Sequence, residues 1–277
     1  MKLATLRNGT STVAVRVDAD AAVEIDGFSN VGELLATEGW KSVAEQASGT
    51  AHPLAGIAPT RWDAVVPRPG KIVCVGLNYK NHILEMGREL PEFPTLFAKF
   101  PEALVGPFDD VELASVSNQV DWEGELAIII GSPARKVSGE AATAAIAGYA
   151  VLNDVTMRDY QYRTPQWLQG KTFENTTPFG PYLVTADELG DDAVLRTKVN
   201  GETVQEVPIA DLVFDPTTLV SYISDILTLN PGDVIASGTP GGVGHARKPA
   251  RYLTEGDVLE TSIDGLGAQS NRAIRVD

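Results

Sequence analysis

Asp121-Trp122-Glu123-Gly124-Glu125-Leu126-Ala127-Ile128-Ile129-Ile130 sets alternating acids directly before an unbroken apolar run. The run Leu126 to Ile130 reads as a buried strand. Such a strand needs neighbours, and the flanking sequence offers them at Lys71–Val75, Ala150–Leu152, Val234–Ser237 and Val258–Ile263. Helical periods are few. The best lie at Gly139–Ile146, rich in Ala, and at Thr217–Leu227, where Asp215-Pro216 is a helix start signal. Pro231-Gly232-Asp233 and Glu255-Gly256-Asp257 each precede a strand, as turns between sheet strands do. The expectation is an α+β fold dominated by antiparallel or mixed β-sheet.

The N-terminal stretch predicts strand, turn and strand: Ala4–Arg7, an Asn8-Gly9 turn, then Val13–Val17 with period-two alternation. A short strand, Ala22–Ile25, and a helix from Ser29-Asn30 follow. Pro53, Pro59, Pro67 and Pro69 interrupt any long element after that. Residues 1–66 are therefore expected to form a small α+β lobe with its linker, and residues 67–277 the catalytic domain. No internal repeat or low-complexity tract is visible.

Acidic residues outnumber basic ones by 37 to 22, a net charge of −15. That charge repels polyphosphate backbones and argues against a nucleic-acid partner. An anionic small substrate then requires a local patch of Arg, Lys or metal. No apolar run approaches the roughly 20 residues of a membrane span, and the first residues lack the apolar core of a signal peptide, so a cytoplasmic location is expected. The single cysteine, Cys74, sits among Ile72, Val73 and Val75, where a thiol serves as a small buried hydrophobe.

In an extended chain Asp121, Glu123 and Glu125 point to one face. Asp154 ends the apolar strand Tyr149-Ala150-Val151-Leu152-Asn153-Asp154 in the same way. Like charges that close repel, and a cation is one means of offsetting this. Glu123, Glu125 and Asp154 would give a hard oxygen site suited to Mg²⁺ or Mn²⁺. The competing reading is a solvated strand edge decorated with acids.

His82 and Glu85 stand three residues apart after the strand signal at Lys71–Val75. On a helix they face each other, and a carboxylate beside an imidazole orients it as a general base. An ordinary exposed pair has the same spacing. Arg158 and Gln161 lie four and seven residues beyond Asp154, which on a helix returns them to its side and offers fork-like contacts to an anion. Lys171 adds a further positive charge. The loop Ser237-Gly238-Thr239-Pro240-Gly241-Gly242-Val243-Gly244 is either an anion cradle of backbone N–H groups or a structural turn.

These segments together resemble the fumarylacetoacetate hydrolase family. The matching pieces are Gly76-Leu77-Asn78-Tyr79 with His82 and Glu85, Phe97-x-Lys99, Asp121-x-Glu123-x-Glu125-Leu126-Ala127, Asn153-Asp154 with Arg158-Asp159 and Gln161, Lys171-x-Phe173, Pro178-x-Gly180-Pro181, and Ser237-Gly238-Thr239-Pro240-Gly241-Gly242-Val243. They stand in the family's order from about Pro69 onward. Glu174 is a small departure, since the family often has Asp after the Phe, and the N-terminal lobe resembles an extension found in some members only. The resemblance implies a layered, largely antiparallel sheet fold and a homodimer. It implies Glu123, Glu125 and Asp154 as ligands of Mg²⁺ or Mn²⁺, and His82 and Glu85 in a lid that activates water. Arg158, Gln161, Lys171 and Thr239 would line the substrate pocket.

The leading expectation is hydrolysis of a C–C bond in an acylpyruvate-type 2-oxo acid, with His82 as base, Glu85 orienting it and Lys171 holding developing negative charge. Two alternatives are an oxaloacetate decarboxylase and an isomerase of unsaturated 2-oxo diacids, both within the same family. The third is a protein that binds metal or metabolite without catalysis.

Overall fold

The computed structural model describes residues 1–85, 89–190 and 192–276, with the side chains of His82 and Glu85 outside the described set. Among the described residues, Gly124–Ile130 is buried along its whole length and lies inside a 10-stranded sheet. The strands run in the order Ala51–Pro53, Ala21–Glu24, Ser11–Val17, Lys2–Asn8, Leu183–Thr185, Ile146–Asn153, Gly124–Ile130, Val234–Ala236, Ile72–Gly76 and Thr95–Lys99. Neighbours are antiparallel except Val234–Ala236 with Ile72–Gly76, so the sheet is mixed. A second, five-stranded sheet holds Glu202–Pro208, Val194–Val199, Val258–Ile263, Gly267–Val276 and Val111–Ala114. The α+β, sheet-dominated class read from the sequence is the one observed.

Period-two alternation along Gly124–Ile130 separates two cores. Ala127 and Ile129 pack with Val31, Leu34, Leu35 and Trp40 of the N-terminal helices. Ile128 and Ile130 pack on the other face against Leu219, Val220 and Ile223. Those three lie on the helix Pro216–Ile226, whose start is fixed by Asp215 Oδ1 accepting the Thr218 N–H at 2.8 Å. The other expected helix is shorter, Glu140–Ala144, because Ile146 already opens the strand Ile146–Asn153.

The N-terminal strands continue this same sheet. Leu3 pairs with Leu183, and Leu3 and Ala14 share a core with Ala127 and Ile129. Of the prolines at 53–69, Pro53 closes the edge strand Ala51–Pro53 just before the 3₁₀ turn Leu54–Gly56, Pro59 opens the 3₁₀ turn Pro59–Arg61, and Pro67 and Pro69 lie in irregular chain before the strand Ile72–Gly76. No helix among the described residues is long and apolar enough to cross a membrane.

Candidate active site

Gly124 lies opposite Asn153 in the antiparallel pair, which brings Glu123 and Asp154 together just beyond the strand ends. The Asp154 N–H donates to Glu123 O at 2.8 Å, and the Glu123 N–H donates to Asn153 Oδ1 at 2.9 Å. Oxygens of Glu123, Glu125 and Asp154, all buried, lie within 4.8 Å of one another. Asp121 does not join them. Val120–Asp121 pairs with Thr156–Met157 in a separate two-stranded sheet, so the extended register breaks at Trp122 and Glu123. Asp121 turns instead to Arg158 Nε at 2.8 Å and to the backbone N–H groups of Gly244 and His245 at 2.6 and 2.9 Å.

Arg158 does face the cluster, but not through a helix shared with Asp154. A strand, Thr156–Met157, intervenes, and the helix begins only at Arg158. Arg158 Nη1 reaches Glu123 Oε1 at 2.6 Å and Gln161 Oε1 at 2.9 Å. Lys171 ends the short helix Leu168–Lys171, which packs so tightly on Arg158–Gln161 that a Cβ at Gly170 would stand 2.5 Å from both Gln161 N and Met157 O. That contact places Lys171 Nζ 2.6 Å from Glu123 Oε2 and 2.8 Å from Asp154 Oδ2. Lys99, which the sequence reading quoted without assigning a role, supplies a second buried ammonium 2.6 Å from Asp154 Oδ1. Its signal was a lysine closing a strand that pairs beside the buried Ile72–Gly76.

The glycine-rich loop cradles the protein's own carboxylates. The Gly238 N–H donates to Glu125 Oε2 at 2.8 Å, and Gly238 has φ +98° with no room for a Cβ against Val75 O. Thr239 Oγ1 donates to Gly124 O at 2.9 Å and accepts from Gln205 Nε2 at 2.9 Å. Asn78 binds the loop to the turn after Ile72–Gly76 by donating to Ser237 O at 2.8 Å. The helix Lys80–Glu85 follows that turn, while the side chains of His82 and Glu85 lie outside the described residues.

A cavity of about 350 Å³ opens over these groups. Glu123, Glu125, Arg158, Gln161, Lys171 and Thr239 all line it, with Phe97, Trp167, Tyr162 and His245 completing its walls. Sequence reasoning assigned no role to these last four. Tyr162 and Trp167 follow Arg158 in a segment without a periodic signal, and no acid stands at helical spacing from His245.

The electrostatics are those of a site built around positive charge. Burial works to lower the Lys171 pKa, but Asp154 and Glu123 outweigh it and hold the side chain as an ammonium with a raised pKa. Burial pushes the Asp154 pKa up, yet Lys171 and Lys99 outweigh that and keep it below the usual range. Glu125 has neither lysine in contact. Burial, then the charges of Asp154 and Glu123, push its pKa well above the ordinary value. A carboxylate so placed is neutral unless a further cation stands beside it, and three oxygen donors without thiolate or imidazole fit Mg²⁺ or Mn²⁺. Glu123, Glu125 and Asp154 would hold it.

A model of the fumarylacetoacetate (FAA) hydrolase C-terminal domain matches residues 71–274. The human protein named oxaloacetate tautomerase FAHD2A, mitochondrial, is 41% identical over 237 residues, 84% of this chain and 76% of that one. The solved fumarylacetoacetate hydrolase of psychrophilic Exiguobacterium antarcticum matches with a TM-score of 0.89 at 34% identity, covering 100% of both chains. The solved 5-carboxymethyl-2-hydroxymuconate delta-isomerase of Mycobacterium smegmatis gives a TM-score of 0.82 at 32% identity, again over 100% of both chains. With its motifs, fold and buried site in agreement, the chain belongs to the fumarylacetoacetate hydrolase family.

Proposed function

We propose that this protein is a divalent-cation-dependent enzyme that interconverts the keto and enol forms of a small 2-oxo acid of the oxaloacetate type. The observation that carries the reading is the Lys171 ammonium, buried between Glu123 and Asp154 on the wall of the cavity and beside Arg158. Similarity to a relative named as an oxaloacetate tautomerase supports the choice of reaction. It moves tautomerisation ahead of the C–C hydrolysis that the sequence alone favoured.

A divalent ion bound by Glu123, Glu125 and Asp154 would supply Lewis-acid polarisation of the 2-oxo carbonyl. Arg158, steadied by Asp121 and Gln161, presents its guanidinium to the 1-carboxylate. His82 takes the proton from C3 of the keto form, the C–H electron pair becomes the C2–C3 π bond as the C2–O π pair moves onto the oxygen, and that oxygen takes a proton from water to give the enol, while His82 returns its own proton to solvent. Lys171, which stays charged, donates to the C2 oxygen while negative charge develops there. Phe97 and Trp167, their rings 5.5 Å apart, add apolar wall that limits water around this charge.

Hydrolysis of acylpyruvates is the second reading, favoured by the spacing of His82 and Glu85 on one helix and by likeness to a fumarylacetoacetate hydrolase. It uses the same wall of cations, with His82 activating water. Homodimerisation and a cytoplasmic location are proposals that rest on the family resemblance and the sequence.

Purified protein with Mg²⁺, with Mn²⁺ and with chelator should be given oxaloacetate, acetylpyruvate and fumarylpyruvate. The expected result is metal-dependent acceleration of keto–enol exchange in oxaloacetate, followed by ultraviolet absorbance, without CO₂. Release of pyruvate with a carboxylic acid would favour the hydrolase, and CO₂ from oxaloacetate the decarboxylase. No metal-dependent turnover of any of them would overturn the enzymatic reading.

A further inference from the structure

The cavity carries an imidazole that the proposed chemistry leaves unused. His245 lies in the turn Gly244–Ala246, exposed at the mouth and counted among the lining residues. His52, by contrast, pairs with Glu24 Oε1 at 2.7 Å near the far edge of the large sheet. The position of His245 is coupled to that of Arg158. A single buried oxygen, Asp121 Oδ2, accepts Arg158 Nε at 2.8 Å and the His245 N–H at 2.9 Å, while Asp121 Oδ1 takes the Gly244 N–H at 2.6 Å. The guanidinium and the His245 backbone are therefore two hydrogen bonds apart through one atom.

The ring is held as well. Nδ1 is 2.8 Å from Tyr252 Oη, and the Tyr162 ring lies 5.2 Å away at an interplanar angle of 33°. A proton donated by Tyr252 to Nδ1 would leave the imidazole's own proton on Nε2, and Nε2 has no protein partner among the described residues. The residue is exposed at the opening of the cavity, where Nε2 can meet a ligand. Arg247 and Arg251 follow closely, each 5.8 Å from the Trp122 ring and each paired with the exposed Glu202.

We infer that His245 determines specificity for the far end of the substrate: its Nε2–H binds the second carboxylate of a 2-oxo dicarboxylic acid whose 2-oxo acid end lies against Arg158 and Lys171. The inference rests on the reading of this cavity as a 2-oxo acid site. It separates substrates by the tail, because a donor placed here is satisfied by a carboxylate and left without a partner by an alkyl group.

The test is calorimetric titration of the Mg²⁺-loaded protein with two unreactive probes, oxalate, which carries the near end alone, and L-malate, which adds the far carboxylate. H245A is expected to weaken malate about tenfold and oxalate less than twofold. Y252F, which frees the tautomer, should weaken malate severalfold. In parallel, H245A should raise the KM for oxaloacetate about tenfold with kcat within twofold. Equal loss for both probes, unchanged malate binding, or no malate binding by the wild type would overturn the inference. Malate binding that depends on His245 in a protein that turns over no 2-oxo acid would sink the proposed reaction and keep this site. Turnover of oxaloacetate with an unchanged KM in H245A would do the reverse.

Discussion

Lys171 Nζ lies 2.8 Å from Asp154 Oδ2, while Lys99 Nζ lies 2.6 Å from the other oxygen of the same carboxylate. Both ammonium groups and the carboxylate are withdrawn from water. Buried charges are costly to separate, so each of these three side chains fixes the others in place. Lys171 alone also reaches Glu123 and the cavity, which makes it the link between the charged core and the substrate.

Replacing it by an uncharged side chain of similar length should therefore have two effects. Lys171→Met is expected to lower kcat about 10²- to 10³-fold, the usual cost of losing a donor to developing negative charge. It should also destabilise the ion-free protein by about 3–5 kcal/mol, because Glu123 and Asp154 lose a buried partner. Steady-state kinetics and thermal unfolding with and without Mg²⁺ measure both. A kcat within threefold of wild type would remove Lys171 from the chemistry.

Glu125 gives a pH dependence of opposite sign to most carboxylates. Its folded pKa is raised, first by burial and then by Asp154 and Glu123, so its contribution to stability is full below the unfolded value near 4.5 and is lost as pH rises through the raised one. Ion-free wild type should lose thermal stability on that rise, and Glu125→Gln should flatten the slope. The same variant should gain little from Mg²⁺ at neutral pH, where the wild type gains much. A wild-type slope that survives in Glu125→Gln would place the titrating group elsewhere.

Gly170 is where two short helices touch. A methyl group there meets backbone atoms at 2.5 Å on both sides, Gln161 N and Met157 O, and backbone cannot turn aside as a side chain can. Gly170→Ala should destabilise the protein by roughly 1–3 kcal/mol and displace Lys171 from its carboxylates. The check is a loss of kcat, at a temperature where the variant remains folded, that exceeds the loss of stability. Unaltered melting would show that the helices part without strain.

Gln205 acts from the second sheet. Its Oε1 accepts the Gly124 N–H at 3.0 Å, and its Nε2 donates to Thr239 Oγ1 at 2.9 Å and Pro240 O at 3.1 Å. Gln205→Leu leaves the buried Gly124 N–H and Pro240 O without these partners and should cost about 1–3 kcal/mol by denaturant unfolding. Because Gly124 sits between Glu123 and Glu125, weaker affinity for Mn²⁺ by titration is expected as well. An unchanged affinity would make Gln205 purely a packing residue.

Part of this was legible along the chain. The buried strand through Leu126–Ile130, the helix start at Asp215-Pro216 and the acids at Glu123, Glu125 and Asp154 follow from period and local chemistry. Backbone alternation and capping act between residues close in sequence, so sequence suffices to read them. Asp121 shows the limit. Local alternation assigns it to the face of Glu123 and Glu125, but the break at Trp122 sends it to Arg158 and to the loop carrying His245.

What the sequence determined by itself was the set of charged groups and the strands that carry them. Only the tertiary structure decided their partners: Lys99 with Asp154, Gln205 with Gly124 and Thr239, and Arg158 with His245 through Asp121. It also merged the N-terminal strands into the same sheet, through the pairing of Leu3 with Leu183. The physical reason is the same in each case. Hydrogen bonds and ion pairs act over a few ångströms of space, and which side chains come that close is set by sheet order and register, which join residues far apart in the chain.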